Sequence, residues 1–299
     1  MSARPLRIVA SERGFSLPEL LIAIAILGMM MAAVFGVLDI SQKSYTRSSS
    51  MEEMQTGVRG VMDRLATELR LIGSEVVGAE NTTIAVATLA EFISGAAADP
   101  TAVISAVDMT ATRIRFRGDI DGNSLNSNTD VAATAAVAAA GTAVTVSALG
   151  SAFDASRRLY IANGVTREVR PITSVSSNTI TITNTFVNAY PAGALVRSIE
   201  DVIWEYCSAT KDVRRLQIAS TTTNATLCGT APSGTETLLT GVEAMTFTYY
   251  DFAGTAIAGG TLAAALQMRE VEVTITVSGT AGYRRALKFR VQPRSLQLV

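Results

Sequence analysis

Acidic side chains and one pair of thiols are the main chemical resources of this sequence, because its 299 residues include no histidine. Histidine is the commonest general base and the commonest metal ligand near neutral pH. A Ser-His-Asp or Cys-His hydrolase is therefore excluded in its ordinary form, and a zinc centre is disfavoured. No P-loop glycine pattern is present. The reading is that the chain is not an enzyme and carries no cofactor, with one exception to weigh. "RGDIDGNSLNSNTD" places Asp119, Asp121, Asn123 and Asp130 close together. Oxygen ligands at alternating positions suit calcium. The stretch lacks the sixth-position glycine and distal glutamate of an EF-hand, so a solvated Asx-rich turn competes with a calcium site. Cys207 and Cys228 could form one bridge. Pairing is expected if the surrounding region is exported, and two free thiols if it is not. A bridge across the twenty intervening residues would stabilise by about 3 kcal/mol.

One more acid is conspicuous by its place. Glu19 stands at the mouth of an apolar run, beside Pro18. From Leu20 to Leu38 no residue is charged. As a helix, those 19 residues would span roughly 28 Å, close to the roughly 30 Å of a bilayer's hydrocarbon core. Arg4, Arg7 and Arg13 precede the run, against Glu12, which predicts a cytoplasmic N-terminus. A secretory signal would have a shorter apolar core closed by a small-residue cleavage site. A plain signal anchor is a second possibility.

A third reading accounts for more residues. Gly14-Phe15-Ser16-Leu17-Pro18-Glu19 resembles the processing site of type IV prepilins. The resemblance implies cleavage between Gly14 and Phe15 by prepilin peptidase and N-methylation of Phe15. It makes Glu19 the fifth mature residue, where that family keeps a glutamate. Gly28 also falls where pilins commonly place glycine. Pro18 stands where many major pilins have Ile or Val, and Gly36 where they often have proline. In a bundle of such helices, Glu19 would pair with the N-terminal amine of a neighbouring subunit. Such a pair offsets the cost of a carboxylate in lipid and fixes axial register. A single chain should then leave Glu19 unpaired.

Past Asp39 the sequence turns polar but stays periodic. Tyr45, Met51, Met54, Val58, Met62, Leu65, Leu69 and Ile72 mostly recur at three- and four-residue steps, an amphipathic stripe. Glu52, Glu53, Arg59, Asp63, Arg64, Glu68 and Arg70 fall on the opposite face, and Gly73 is a natural stop. "RGVMDRLATELRLIG" resembles the corresponding stretch of PilW-type minor pilins. From about Thr82 onward, β-branched and aromatic residues alternate with polar ones, as in antiparallel strands. Residues 123–142 are small, polar or alanine-rich and read as a loop. A block with its own turn rhythm follows, at about 143–197. The stretch "VEAMTFTYYDFAGTAI…LQMREVEVTITV" resembles the last sheet of PilW-like and J-type pseudopilin heads.

The expected architecture is α+β, a pilin fold. Residues 1–14 form the leader, 15–38 a transmembrane and assembly helix, and 39–72 its amphipathic continuation. Residues 73–299 form a β-rich head, in which 131–198 make a linker and an inserted small β-subdomain. The resemblance implies a minor pilin acting in the initiation or tip complex of a type IV pilus. Its expected place is the inner membrane, with a periplasmic head. Expected partners are prepilin peptidase, other minor and major pilins, the inner-membrane assembly platform and membrane lipid. A J-type minor pseudopilin of type II secretion and a membrane-anchored adhesin or ligand-binding protein are the alternatives. Nucleic acid is not expected. Subtracting the leader's +2 from the chain's −1 leaves −3, and Arg157-Arg158, Arg214-Arg215 and Arg284-Arg285 read as solvated strand faces.

Overall fold

The structure is a computed structural model that describes residues 16–73, 108–120, 131–147, 149, 153–164, 166–218, 226–260, 264, 267–278 and 284–293. The chain divides into two compact units, Met1–Glu53 and Met54–Val299.

One long helix, α1, runs Leu17–Arg70. Through residue 49 its side chains are exposed, and the stretch is long and apolar enough to cross a membrane. In the second unit the helix behaves differently. Val58, Val61, Met62, Leu65, Ala66 and Leu69 are buried, at the steps of three and four that form one helical stripe. Each large member stabilises by about 1.5–3 kcal/mol on leaving water. The last turn tightens, with Leu71 N–H donating to the Glu68 carbonyl and Ile72 N–H to that of Leu69. Gly73 then takes φ +72°, a left-handed terminator that other residues adopt at a cost, and donates its N–H to the Arg117 carbonyl at 2.8 Å.

The described remainder of the second unit is mainly antiparallel β-structure, so the architecture is α+β and consistent with the pilin fold. Its organising element is the thirteen-residue strand β7, Leu195–Cys207. The other strands before it are β1 (Arg113–Gly118), β2 (Val131–Ala132), β3 (Ala143–Thr145), β4 (Arg158–Asn163), β5 (Thr166–Ser176) and β6 (Thr179–Ile182). After it come β8 (Asp212–Gln217), β9 (Glu236–Leu239), β10 (Val242–Tyr250), β11 (Ala256–Ile257), β12 (Glu270–Ser278) and β13 (Arg284–Val291).

The C-terminal half of β7 is flanked by β1 and β8, with β9 outside β8. Its N-terminal half is flanked by β2 and β4. From β4 the ladder continues through β5 and β6 to β3. It then closes on itself. Ala133 bridges Val146, Thr134 N–H donates to the Thr145 carbonyl, and Ser147 N–H donates to that of Ala132. The closed ring β2-β3-β6-β5-β4-β7 is a small barrel with its own core, including Val144, Leu159, Ile161, Ile172, Ile180, Phe186 and Val196.

Residues 131–142, which composition assigns to a loop, are part of this ring. Val131, Ala133 and Val137 are buried in the barrel core, and Val137 bridges Tyr190. Most of this segment's alanines are exposed, and the interior positions fall to Val131, Ala133 and Val137. The barrel grows out of a β-hairpin: Gly118 and Glu200 are cross-strand partners, so the excursion starts and ends at adjacent points of one ladder.

The second sheet has the order β11-β10-β12-β13. Met245, Ile275 and Leu287 form one cross-strand row into the main core, and Phe247, Val273 and Phe289 the next. The α1 stripe packs into the same core. Gly259 is required where the chain crosses Met109, since a Cβ there would sit 1.8 Å from that carbonyl oxygen.

Candidate functional site

Ser16 is the N-cap of α1, because its carbonyl accepts the first helical bond, from Leu20 N–H at 3.2 Å. Glu19 turns back onto it. One carboxylate oxygen accepts the Ser16 backbone N–H at 3.3 Å and the Ser16 hydroxyl at 3.1 Å. In the single chain Glu19 is thus hydrogen-bonded within its own first turn. With no neighbouring chain, the acid satisfies a donor that the helix start leaves open, as the glutamate of a capping box does. Among the described residues no cation pairs with it. Pro18 sits in the first turn, where a missing N–H removes no intrahelical bond. Gly14 and Phe15 lie outside the described residues. Gly28 and Gly36 have open space around them in the single chain.

Lower on α1, Glu68 departs from the sequence reading. It is buried, not solvent-facing. Its carboxylate accepts Trp204 Nε1–H at 2.7 Å and Arg215 Nε–H at 2.8 Å, and pairs with Arg64 at 3.3 Å. Glu236 completes a ring, binding Arg64 at 2.8 Å and Arg215 at 3.1 Å. The hydrogen bond from Arg64 and the charge of Arg215 hold the Glu236 carboxyl below its usual range, against a burial effect that raises it. The ring clasps the second half of the helix to β8 and β9.

A second charged layer lies where the barrel leaves the head. Asp201 is fully buried on β7. Arg115 grips it with two bonds of 2.8 Å, Arg158 donates Nε–H at 2.8 Å, and Arg117 lies at 3.4 Å. Burial alone would raise the Asp201 carboxyl, but the charges of Arg115, Arg158 and Arg117 outweigh it and hold it well below the carboxylate range. Burial lowers Arg117 and Arg158 from the ordinary guanidinium value. Next to Asp201, Glu200 pairs with Arg157 and accepts the Ile120 N–H at 2.7 Å. The pairs Arg157-Arg158 and Arg214-Arg215 are thus not solvated faces: Arg157, Arg158 and Arg215 are buried and ion-paired. Arg284 and Arg285 are exposed, and Arg284 pairs with Glu243.

Cys207 and Cys228 form a disulfide. Inside the loop they close, Arg214 donates to the Leu227 carbonyl at 2.6 Å, and Leu227 N–H donates to Glu205 at 2.7 Å. Of the calcium candidates, Asp119 is only 2% exposed and follows β1 directly. Asp121, Asn123 and Asp130 lie outside the described residues. Among the described residues no cluster of three or more acidic or thiol groups could hold a metal.

The family described as the prokaryotic N-terminal methylation motif matches residues 10–35. The match spans the last five leader residues, including Arg13 and Gly14, then Phe15, Glu19 and most of the uncharged run. The chain is type IV prepilin-like. No curated protein compared with it matches. The candidate site residues lie in two places: the helix start read from sequence, and the acids that fix the helix and barrel to the head. Sequence reasoning missed Glu68, Glu200 and Asp201. A signal was present for two of them. "SIEDVIWEY" sets adjacent acids inside an otherwise apolar strand, and "RIRFRG" alternates arginines with apolar residues. Acids in such a strand require buried cationic partners.

Proposed function

We propose that this chain is a PilW-like minor pilin of a type IV pilus, cleaved between Gly14 and Phe15, N-methylated on Phe15 and acting where filament assembly begins. The observation that carries this reading is the continuity of the prepilin motif with α1: the matched segment runs directly into a helix whose last turns pack on a β-rich head. In the reading, Glu19 trades Ser16 for the N-terminal amine of an adjacent subunit. Prepilin peptidase, other pilins and the assembly platform are its partners, and its place is the inner membrane with the head outside the cytoplasm. The oxidised Cys207–Cys228 pair supports export of the head.

The test is mass spectrometry of the intact protein extracted from membranes with active prepilin peptidase. A chain starting at N-methylated Phe15 is expected, and one starting at Met1 refutes the reading. The J-type pseudopilin shares this processing. It differs in the machine served, so loss of type II secretion with intact piliation in a deletion strain would favour it. The closed barrel favours a second role, as a binding module carried by the filament. Excising 131–198 should then leave piliation intact and remove adhesion.

A further inference from the structure

The barrel interior is not wholly apolar. Cross-strand partners point to the same face of a sheet. Ser198 and Arg170 are both partners of Leu159, and Val196 and Glu168 are both partners of Ile161. Leu159, Ile161 and Val196 are barrel-core residues, so Ser198, Arg170 and Glu168 face the same interior. Tyr190 is part of that core, its ring edge-on to Phe186 at 5.9 Å. All four polar residues are at most 1% exposed.

Glu168 is fully engaged. It accepts the backbone N–H of Val187 at 3.0 Å and of Asn188 at 2.6 Å, the Asn188 side-chain amide at 2.7 Å, and Arg170 Nη2–H at 2.7 Å. Its neighbours are not. Arg170 Nε and Nη1 and Ser198 Oγ are buried with no protein partner, and Tyr190 Oη lies near Glu168 and Asn188 without a well-formed hydrogen bond to either. A buried polar group left unmatched is destabilising, because it has given up its bonds to water. Several in one small barrel would consume much of the margin by which a domain is stable.

The charges in this interior define what can meet them. Glu168 already balances Arg170, so an added anion would leave a net buried negative charge. An added cation would face the Arg170 guanidinium. The guest must be neutral, must accept from Arg170 and must bond both hydroxyls. Small size and mixed donor–acceptor character point to water, which typically makes about three bonds to buried groups of this kind.

We propose that the barrel encloses an ordered water site built by Arg170, Tyr190 and Ser198 beside the Glu168 carboxylate. The water completes the network that pins the 187–188 backbone to β5. The sign of two substitutions tests it. In a dry interior, Tyr190→Phe and Ser198→Ala each remove an unmatched hydroxyl, so the melting temperature stays the same or rises. In a hydrated interior each removes a satisfied one, and a loss of about 2–4 °C is expected for a unit of this size. The measurement is thermal unfolding of the full chain in detergent, followed by Trp204 fluorescence. A fall in both variants supports the site, and no change or a rise in either overturns it. Magnetisation transfer from water to the Asn188 amide separates water from a direct Tyr190–Glu168 bond. Transfer is expected, and its absence also overturns the proposal. Prepilin processing is not involved in either readout.

Discussion

Replacing Asp201 by asparagine keeps the shape of the side chain and removes its charge. Three buried guanidiniums, those of Arg115, Arg117 and Arg158, then lose the carboxylate they share. Breaking a buried ion pair by removing one partner costs about 3–5 kcal/mol, because the remaining charge stays buried. For a unit of this size, 1 kcal/mol moves the melting temperature by about 2–4 °C. The expected fall is therefore about 6–20 °C. Trp204 is the sole tryptophan, is fully buried and belongs to the same strand, so its emission reports unfolding of the head. The pH dependence has a definite sign. The folded carboxyl is held below its unfolded value of about 3.9, so its stabilisation is complete above about pH 5 and is lost as pH falls through the folded value. The gap between wild type and Asp201→Asn should be constant from pH 5 to 8 and shrink below about pH 4. A destabilisation under 1 kcal/mol at pH 7 would show that Asp201 does not neutralise this layer.

Glu68→Gln gives the buried Arg215 a neutral acceptor in place of Glu68 and leaves it only the half-exposed Glu236 as an anionic partner. It should cost about 3 kcal/mol by equilibrium urea unfolding, with a changed Trp204 emission in the folded state because the indole N–H loses its carboxylate. Cys207→Ser should cost about 3 kcal/mol from the 21-residue separation of the bridge, and reductant should bring the wild type to the same midpoint. Glu19→Ala should leave cleavage after Gly14 intact, read by mass spectrometry, and reduce recovery of the protein in sheared filaments. Equal recovery would remove the assembly role. Millimolar calcium, added to chelator-treated protein, should leave the melting temperature within about 1 °C, because Asp119 is buried at a strand end; a clear rise would restore the calcium reading.

The N-terminal features were legible because each depends on local sequence. A basic leader, Gly14-Phe15 and Glu19 ahead of a charge-free run need no tertiary partner to be recognised. The buried stripe Val58, Met62, Leu65, Leu69 and Ile72 was equally readable, since helical periodicity is local. Tyr45 shows the limit: it continues the stripe in sequence, yet is 76% exposed. The strands with strong alternation, β10, β12 and β13, were also foreseeable. Short strands such as β2 and β9 were not, because two to four residues give no usable period.

Charge was where sequence and fold diverged. Glu68, Arg158 and Arg215 read as solvent-facing because charged residues are almost never fully buried unless paired. Their pairs join residues 147 and 43 positions apart, and no local pattern reports such a pairing. By itself the sequence determined the processing motif, the helix and its buried stripe, and the α+β class. Only the tertiary structure decided that the insertion closes into a barrel and that its junction with the head is a layer of buried charge. Ring closure needs six segments to meet, and a buried carboxylate is tolerable only when distant guanidiniums reach it.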